Sequence, residues 1–300
     1  MANTLTIAGG SVIVAQALKA LTVKAAPMVN VCSVKMEPAT RGNKVITSVV
    51  PARPAAAKLS DYGYDRSHSN VSPDVSTGDV IVNCEDWAIG FNLSDADIGA
   101  AEAGAITAHT QAMIEQSVAS LVNTVQGEVY KLVTASNFGS AVMGNVAALS
   151  YSNVVALRTI ANGIGLNDGA LVINSTQAGS LRDDSKISNA LNSQKDVVTT
   201  GTLGKVVGFN VVEAISLPAN SEGLVGFICD KSAIALVSRP TFNTMDIPFF
   251  PMTDDVTGLS LALRVAPDVL KGKHYYTLEM NFGVSKASTA ALKRIISGSL

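Results

Sequence analysis

The segments GLVGFICDKSAIALVSRP (223–240), GLSLALRVAPDV (258–269) and HYYTLEMNFGVSKASTAALKRI (274–295) set out one order of elements. They read as a strand, a short helix, a strand, an Asp-marked break, a strand ending at Phe282-Gly283-Val284, and an apolar tail. Upstream of them, a helical pattern runs from Ser94 to about Val133. Its apolar positions, among them Ile106, Met113, Ile114, Val118, Leu121, Val125 and Val129, recur every three or four residues, so one face is apolar. Ser94 with Asp97 three residues later resembles a capping box, and Asp95 complements the helix dipole. About 40 residues at 1.5 Å each predict a rod of roughly 60 Å, with Gly99, Gly104 and Gly127 as places for a kink.

Nothing in these segments is a catalytic motif. GTLGKVV (201–207) has two residues between its glycines where a phosphate loop needs four, and Val206 where that loop has Ser or Thr. It reads as the approach to a hairpin. NGIGLNDG (162–169) lacks a third glycine at dinucleotide-binding spacing and a preceding strand, so it reads as a helix exit and turn. His68, His109 and His274 have no Cys, Asp or His partner at metal or triad spacing. Glu85 and Asp86, adjacent on a strand, point to opposite faces and form no carboxylate pair. Asp254-Asp255 is explained by turn propensity. No catalytic, cofactor or metal site is expected, and the chain is not expected to be an enzyme.

Composition points the same way. Of 300 residues, 47% are hydrophobic and only 15% charged, against roughly 25% charged in an average soluble domain. Mean hydropathy is +0.30. No window offers the roughly 20 predominantly apolar residues of a spanning helix, because Asn, Ser and Gly interrupt the uncharged run 132–157. The first 18 residues lack the basic start of a secretory signal. A low-charge chain outside the membrane has apolar surface to cover by contact between subunits. Cys32, Cys84 and Cys229 are far apart and odd in number, and read as small buried hydrophobes.

Net charge is −2, which argues against a protein held together by nucleic acid, but the charge is unevenly spread. Residues 1–60 carry seven Lys/Arg and one acid; residues 61–150 carry two basic residues and eleven acids. A basic arm of one copy lying on the acidic middle of another would use this asymmetry. The inter-subunit candidates are Lys19, Lys24, Lys35 and Lys44 on the basic side and Glu85, Asp86, Glu102 and Glu115 on the acidic side. Tyr62 and Tyr64 join them at the tip of a long loop.

The rest of the chain fills in around these elements. Residues 11–26 form an amphipathic helix with Ile13, Val14, Ala17, Leu18 and Leu21 on one face, ended by Pro27. Residues 28–36 look extended. NKVITSVV (43–50) pairs with DVIVNCEDWAIGF (79–91), and the Pro- and Ser-rich stretch between them projects as a hairpin loop. SNVVALRTIANG (152–163) is a helix, GALVINS (169–175) a buried strand, TQAGSLRDD (176–184) a helix, 185–204 a polar loop and GKVVGFNVVEA (204–214) a strand.

Taken together, GKVVGFNVVEAISLPA (204–219), GFICDKSAIALVSRP (226–240) and the closing 258–295 resemble the major capsid proteins of tailed bacteriophages, of Hong Kong 97-like fold. The resemblance implies an α+β chain with an N-terminal arm (1–42), an extended β-hairpin loop (43–93) and a spine helix of the peripheral domain (94–139). It also implies an α/β axial domain (140–236) and a return to the peripheral β-sheet (237–300). It implies self-assembly into pentamers and hexamers, an icosahedral shell around double-stranded DNA in the virion, and assembly in the bacterial cytoplasm. Because the chain begins directly with the arm, a separate scaffolding protein is expected; a portal protein and non-specifically contacted double-stranded DNA are further expected partners, and no membrane. An encapsulin-like compartment shell is the alternative of the same architecture, and a soluble α/β enzyme the alternative of another class.

Overall fold

The computed structural model describes residues 5–37, 44–49, 78–94, 108–166, 169–187, 203–243, 247–268, 270–271 and 273–299, without the side chains of 5–11, 47–49 and 78–79. Two sheets share one apolar core, with a long helix across them. The chain opens with α1 (Leu5–Ala25), one helical turn α2 (Met28–Val31) and β1 (Ser33–Met36). Ile13, Ala17 and Leu21 of α1 are buried, as their spacing demands. Residues 28–31, expected to be extended, are helical because the chain turns back after Pro27 to bury Met28 and Val31.

The first sheet is built around β12 (Lys273–Lys286), a strand of 14 residues. One edge carries β4 (Glu85–Ser94), paired from Lys273↔Ser94 to Phe282↔Glu85. β9 (Ile234–Arg239) pairs with Asn281–Lys286. Asn281 and Phe282 pair with both, so β9 occupies the opposite edge, beyond the end of β11 (Ser260–Asp268). β10 (Phe249–Thr253) extends the sheet past β11, and β1 lies parallel to β9. Period-2 alternation places Trp87 and Phe91 on the same face as Phe282 and Tyr276, where their rings stack at 6.1 and 5.5 Å.

The second sheet has five strands. β5 (Ala170–Asn174) and β7 (Phe209–Ala214) are parallel, with α6 (Ser175–Asp183) between them in sequence. β6 (Lys205–Val206) and β7 form a tight hairpin through Val207 and Gly208, at φ +49° and +83°. The Val-rich run expected as one strand is therefore two strands and a turn of the kind that matches strand twist. β8 (Leu224–Cys229) is buried at every residue. The closing apolar tail is a strand, β13 (Leu292–Ile296), paired with β8 in this second sheet. The two sheets thus do not divide at 236/237: β9 spans that point within the first sheet, and the last strand returns to the second.

Ser94 ends β4, paired with Lys273 of β12; the expected helix start after it, with Asp95 and Asp97, lies outside the described residues. The long helix is described as α3 (Ala108–Lys131), 24 residues or about 36 Å at 1.5 Å each. Its inner stripe, Ile114, Val118, Leu121, Val122, Val125 and Val129, is buried. At its C-terminal end Tyr130 meets Phe227 of the second sheet edge-on at 5.9 Å, so one helix joins both layers. Asn220 Nδ2 donates to the carbonyls of Tyr130 and Val133 at 3.0 and 2.8 Å, satisfying acceptors that the helix end leaves open. A short helix, α4 (Ala135–Phe138), follows. Beyond it α5 (Tyr151–Gly163) carries a full capping box between Ser150 and Asn153.

Candidate assembly surfaces

A two-stranded ribbon pairs β2 (Lys44–Val49) with β3 (Gly78–Asn83), and the loop expected to project from it lies outside the described residues. The expected second strand, 79–91, is in fact β3 and β4, separated at Cys84. The chain crosses the first sheet there because β12 presents Gly283, where any Cβ would collide with the Asn83 carbonyl and Val82. Val45 and Val82 point inward and pack with Cys84, Ala235 and Val237. Ile46 and Ile81, directly opposite one another, point outward and are 66% and 55% exposed. A ribbon apolar on both faces has one face that no described part of its own chain covers.

At the root of the ribbon lies a cleft of about 280 Å³, between the last turn of α3 and the ends of β4 and β12. Trp87, Leu132, Phe282 and Val284 supply apolar wall, and Asn83, Glu85, Glu128 and Lys131 also line it. Lys131 Nζ and Glu128 Oε1 are 2.5 Å apart. The sequence flagged Glu85, but nothing local connects it to Glu128 and Lys131, more than 40 residues later. Only the pairing of β4 with β12 under α3 brings them together.

A second surface surrounds the turn between β10 and β11. Asp254, 4% exposed, accepts hydrogen bonds from the Thr22 hydroxyl (3.0 Å) and from the Thr257 amide (3.2 Å). This carboxylate clips the end of α1 to the turn, and Val23 and Val256 stand exposed beside it. The turn explanation of Asp254 holds, and the bond to Thr22 adds a tertiary role that the sequence did not signal.

The other flagged residues divide. Lys19 and Lys24 of α1, Lys35 of β1 and Lys44 of β2 are exposed, as are Glu85 and Glu115. Glu115 accepts from Gln111 Nε2, one turn away on α3. Asp86 accepts from Asn281 Nδ2 at 2.6 Å, and Asn281 Oδ1 accepts from buried Arg239, so Asp86 serves a network within its own subunit. Tyr62, Tyr64 and Glu102 lie outside the described residues.

Cys32, Cys84 and Cys229 are free and buried, and desolvation raises each thiol above its ordinary range. Asp184 is held below the usual carboxylate range by the backbone amides of Tyr151 and Lys186. Among the described residues no three His, Cys, Asp or Glu side chains group as metal ligands, and no helix is long and apolar enough to cross a membrane.

Two sheets, a helix joining them and a two-stranded ribbon make up a fold that solved phage capsid subunits share. The capsid of cyanophage P-SCSP1u is similar at a TM-score of 0.51 and 14% identity, covering 88% of this chain and 86% of that one. Also similar are a structure from Mycobacterium phage Che8 (TM-score 0.49, 16% identity, 86% of each chain) and a virus-like particle from Pyrococcus furiosus (0.49, 9%, 93% of this chain and 98% of that one). No protein-family profile matches the chain, and no curated protein matches its sequence. The fold is thus the one that the resemblance to Hong Kong 97-like capsid proteins implied.

Proposed function

We propose that this chain is the major capsid protein of a tailed bacteriophage, forming pentamers and hexamers of a closed icosahedral shell around double-stranded DNA. The observation that carries the reading is the fold shared with a cyanophage capsid subunit over 88% of the chain. Apolar side chains left uncovered on outstretched elements, Ile46 and Ile81 above all, support it. In this reading residues 1–42 hold the arm and 43–93 the extended loop, joined through β1 and β4 to the six-stranded sheet, which with α3 is the peripheral domain, and the five-stranded sheet is the axial domain. Scaffolding and portal proteins are its separate partners, and its role is structural and not catalytic.

Purified protein is expected to give closed particles tens of nanometres across by light scattering and electron microscopy. Particles made in the presence of phage DNA are expected to show the absorbance ratio of packaged nucleic acid. A small oligomer that stays small at high concentration overturns the shell. Closed particles that never take up DNA point to a cargo compartment.

A further inference from the structure

The hairpin between β11 and β12 ends in Leu270, which is 98% exposed. Exposed Lys273 stands beside it, and Lys271 Nζ lies 3.5 Å from Asp268 Oδ2. Tyr275 and Asp268 raise the Lys271 ammonium above its usual range, so it stays charged. The tip is an apolar knob with a net positive rim. The cleft at the ribbon root is its complement, an apolar hole between Trp87, Leu132, Phe282 and Val284 whose rim acids, Glu85 and Glu128, outnumber its one lysine. At about 280 Å³ it falls just below the roughly 300–1,000 Å³ typical of small-molecule sites, and a leucine side chain fits it.

Knob and hole cannot meet within one subunit. Both belong to the same extended strand: Lys273 and Phe282 are nine residues apart on β12, about 30 Å at 3.4 Å per residue. We propose that the Leu270 tip of one subunit docks into the Trp87–Phe282 cleft of a second copy. The two surfaces differ, so the contact is head-to-tail, and such contacts close into rings when the rotation between copies allows. An apolar anchor in a pocket ringed by opposite charge is also the arrangement in which few residues carry much of the binding. The inference rests on the self-assembly reading and specifies one contact within it.

The test places one cysteine beside each surface, Lys273→Cys in one copy and Asn83→Cys in another, and treats mixed assemblies with a short bismaleimide. Both side chains are exposed and neither supplies the apolar anchor or its apolar wall, and the native cysteines are buried and protected. A crosslinked dimer joining positions 83 and 273, seen by peptide mass mapping and absent when either variant assembles alone, supports the proposal. Leu270→Glu is expected to lower the assembled fraction at least about tenfold and Leu270→Met to restore it. Particles that form normally without the crosslink, or that tolerate Leu270→Glu, overturn the docking contact and leave the shell standing. Wild-type protein that forms no particles overturns the shell and this contact with it.

Discussion

Arg294 shows how much one buried charge can organise. It is 3% exposed and sits on β13, yet its guanidinium donates to the Gly139 carbonyl through Nη2 at 2.8 Å and Nε at 3.1 Å. Nη1 pairs with Glu222, whose carboxylate also accepts the Ala135 amide at 3.0 Å. The last strand, the turn before β8 and the start of α4 are thereby tied at one point. Truncation leaves Glu222 and a carbonyl without their donor. Arg294→Ala is expected to cost about 3 kcal/mol, the lower end of the range for breaking a buried pair, because Glu222 is partly exposed. The urea midpoint of unassembled subunits should fall with the slope unchanged; a loss under about 1 kcal/mol would rank the cluster with surface pairs. The Tyr130 hydroxyl is the opposite case, buried with no hydrogen-bond partner among the described residues.

Among the elements, the ribbon depends most on a single position it does not contain. Gly283 lets β3 cross the sheet, bringing Val82 and Cys84 onto Ala235 and Val237. Gly283→Ala pushes a methyl group into the Asn83 backbone, which cannot swing aside as a side chain could. The expected cost is about 1–3 kcal/mol, the usual range for overpacking. Denaturant unfolding measures the loss. Hydrogen exchange should place the first loosening in residues 44–49 and 78–83, and uniform loosening of the sheet would contradict the crossing as the point of strain. The Val45–Val82 and Ile46–Ile81 pairs make the ribbon's alternation legible in sequence. Its division from β4 leaves one trace in sequence, since the inward positions shift from even (Val82, Cys84) to odd (Trp87, Ile89, Phe91) across Glu85-Asp86.

In the proposed shell, charge placement is expected to decide whether copies meet. Lys19, Lys24 and Lys35 are all exposed and outside the core, so reversing them does not disturb packing. The triple variant Lys19→Glu, Lys24→Glu, Lys35→Glu is expected to keep the wild-type circular dichroism spectrum and lose particle formation. Normal shells from it would refute a basic arm seated on an acidic neighbour. A standard interface buries about 1,600 Å², and a lattice subunit with several neighbours buries a multiple of that, so unfolding should be markedly harder in particles than in free subunits.

Periodicity and turn chemistry foretold much of the element list. The helix at 151–163, the strands at 170–174 and 224–229 and the buried cysteines are all readable locally, because each reflects short-range spacing or composition. KSAIALV, expected as a short helix, is one 3-10 turn at 231–233 running into β9, whose burial between β1 and β12 only the sheet decides. Strand partners are not local. That β13 joins β8, that Ser94 ends a strand, and that Glu85, Glu128 and Lys131 share one cleft each follow from contacts across tens to hundreds of residues. Such contacts form wherever the shared core is best filled. Local preference can name a strand, but burial against distant neighbours selects its partner and the surface it leaves for another copy.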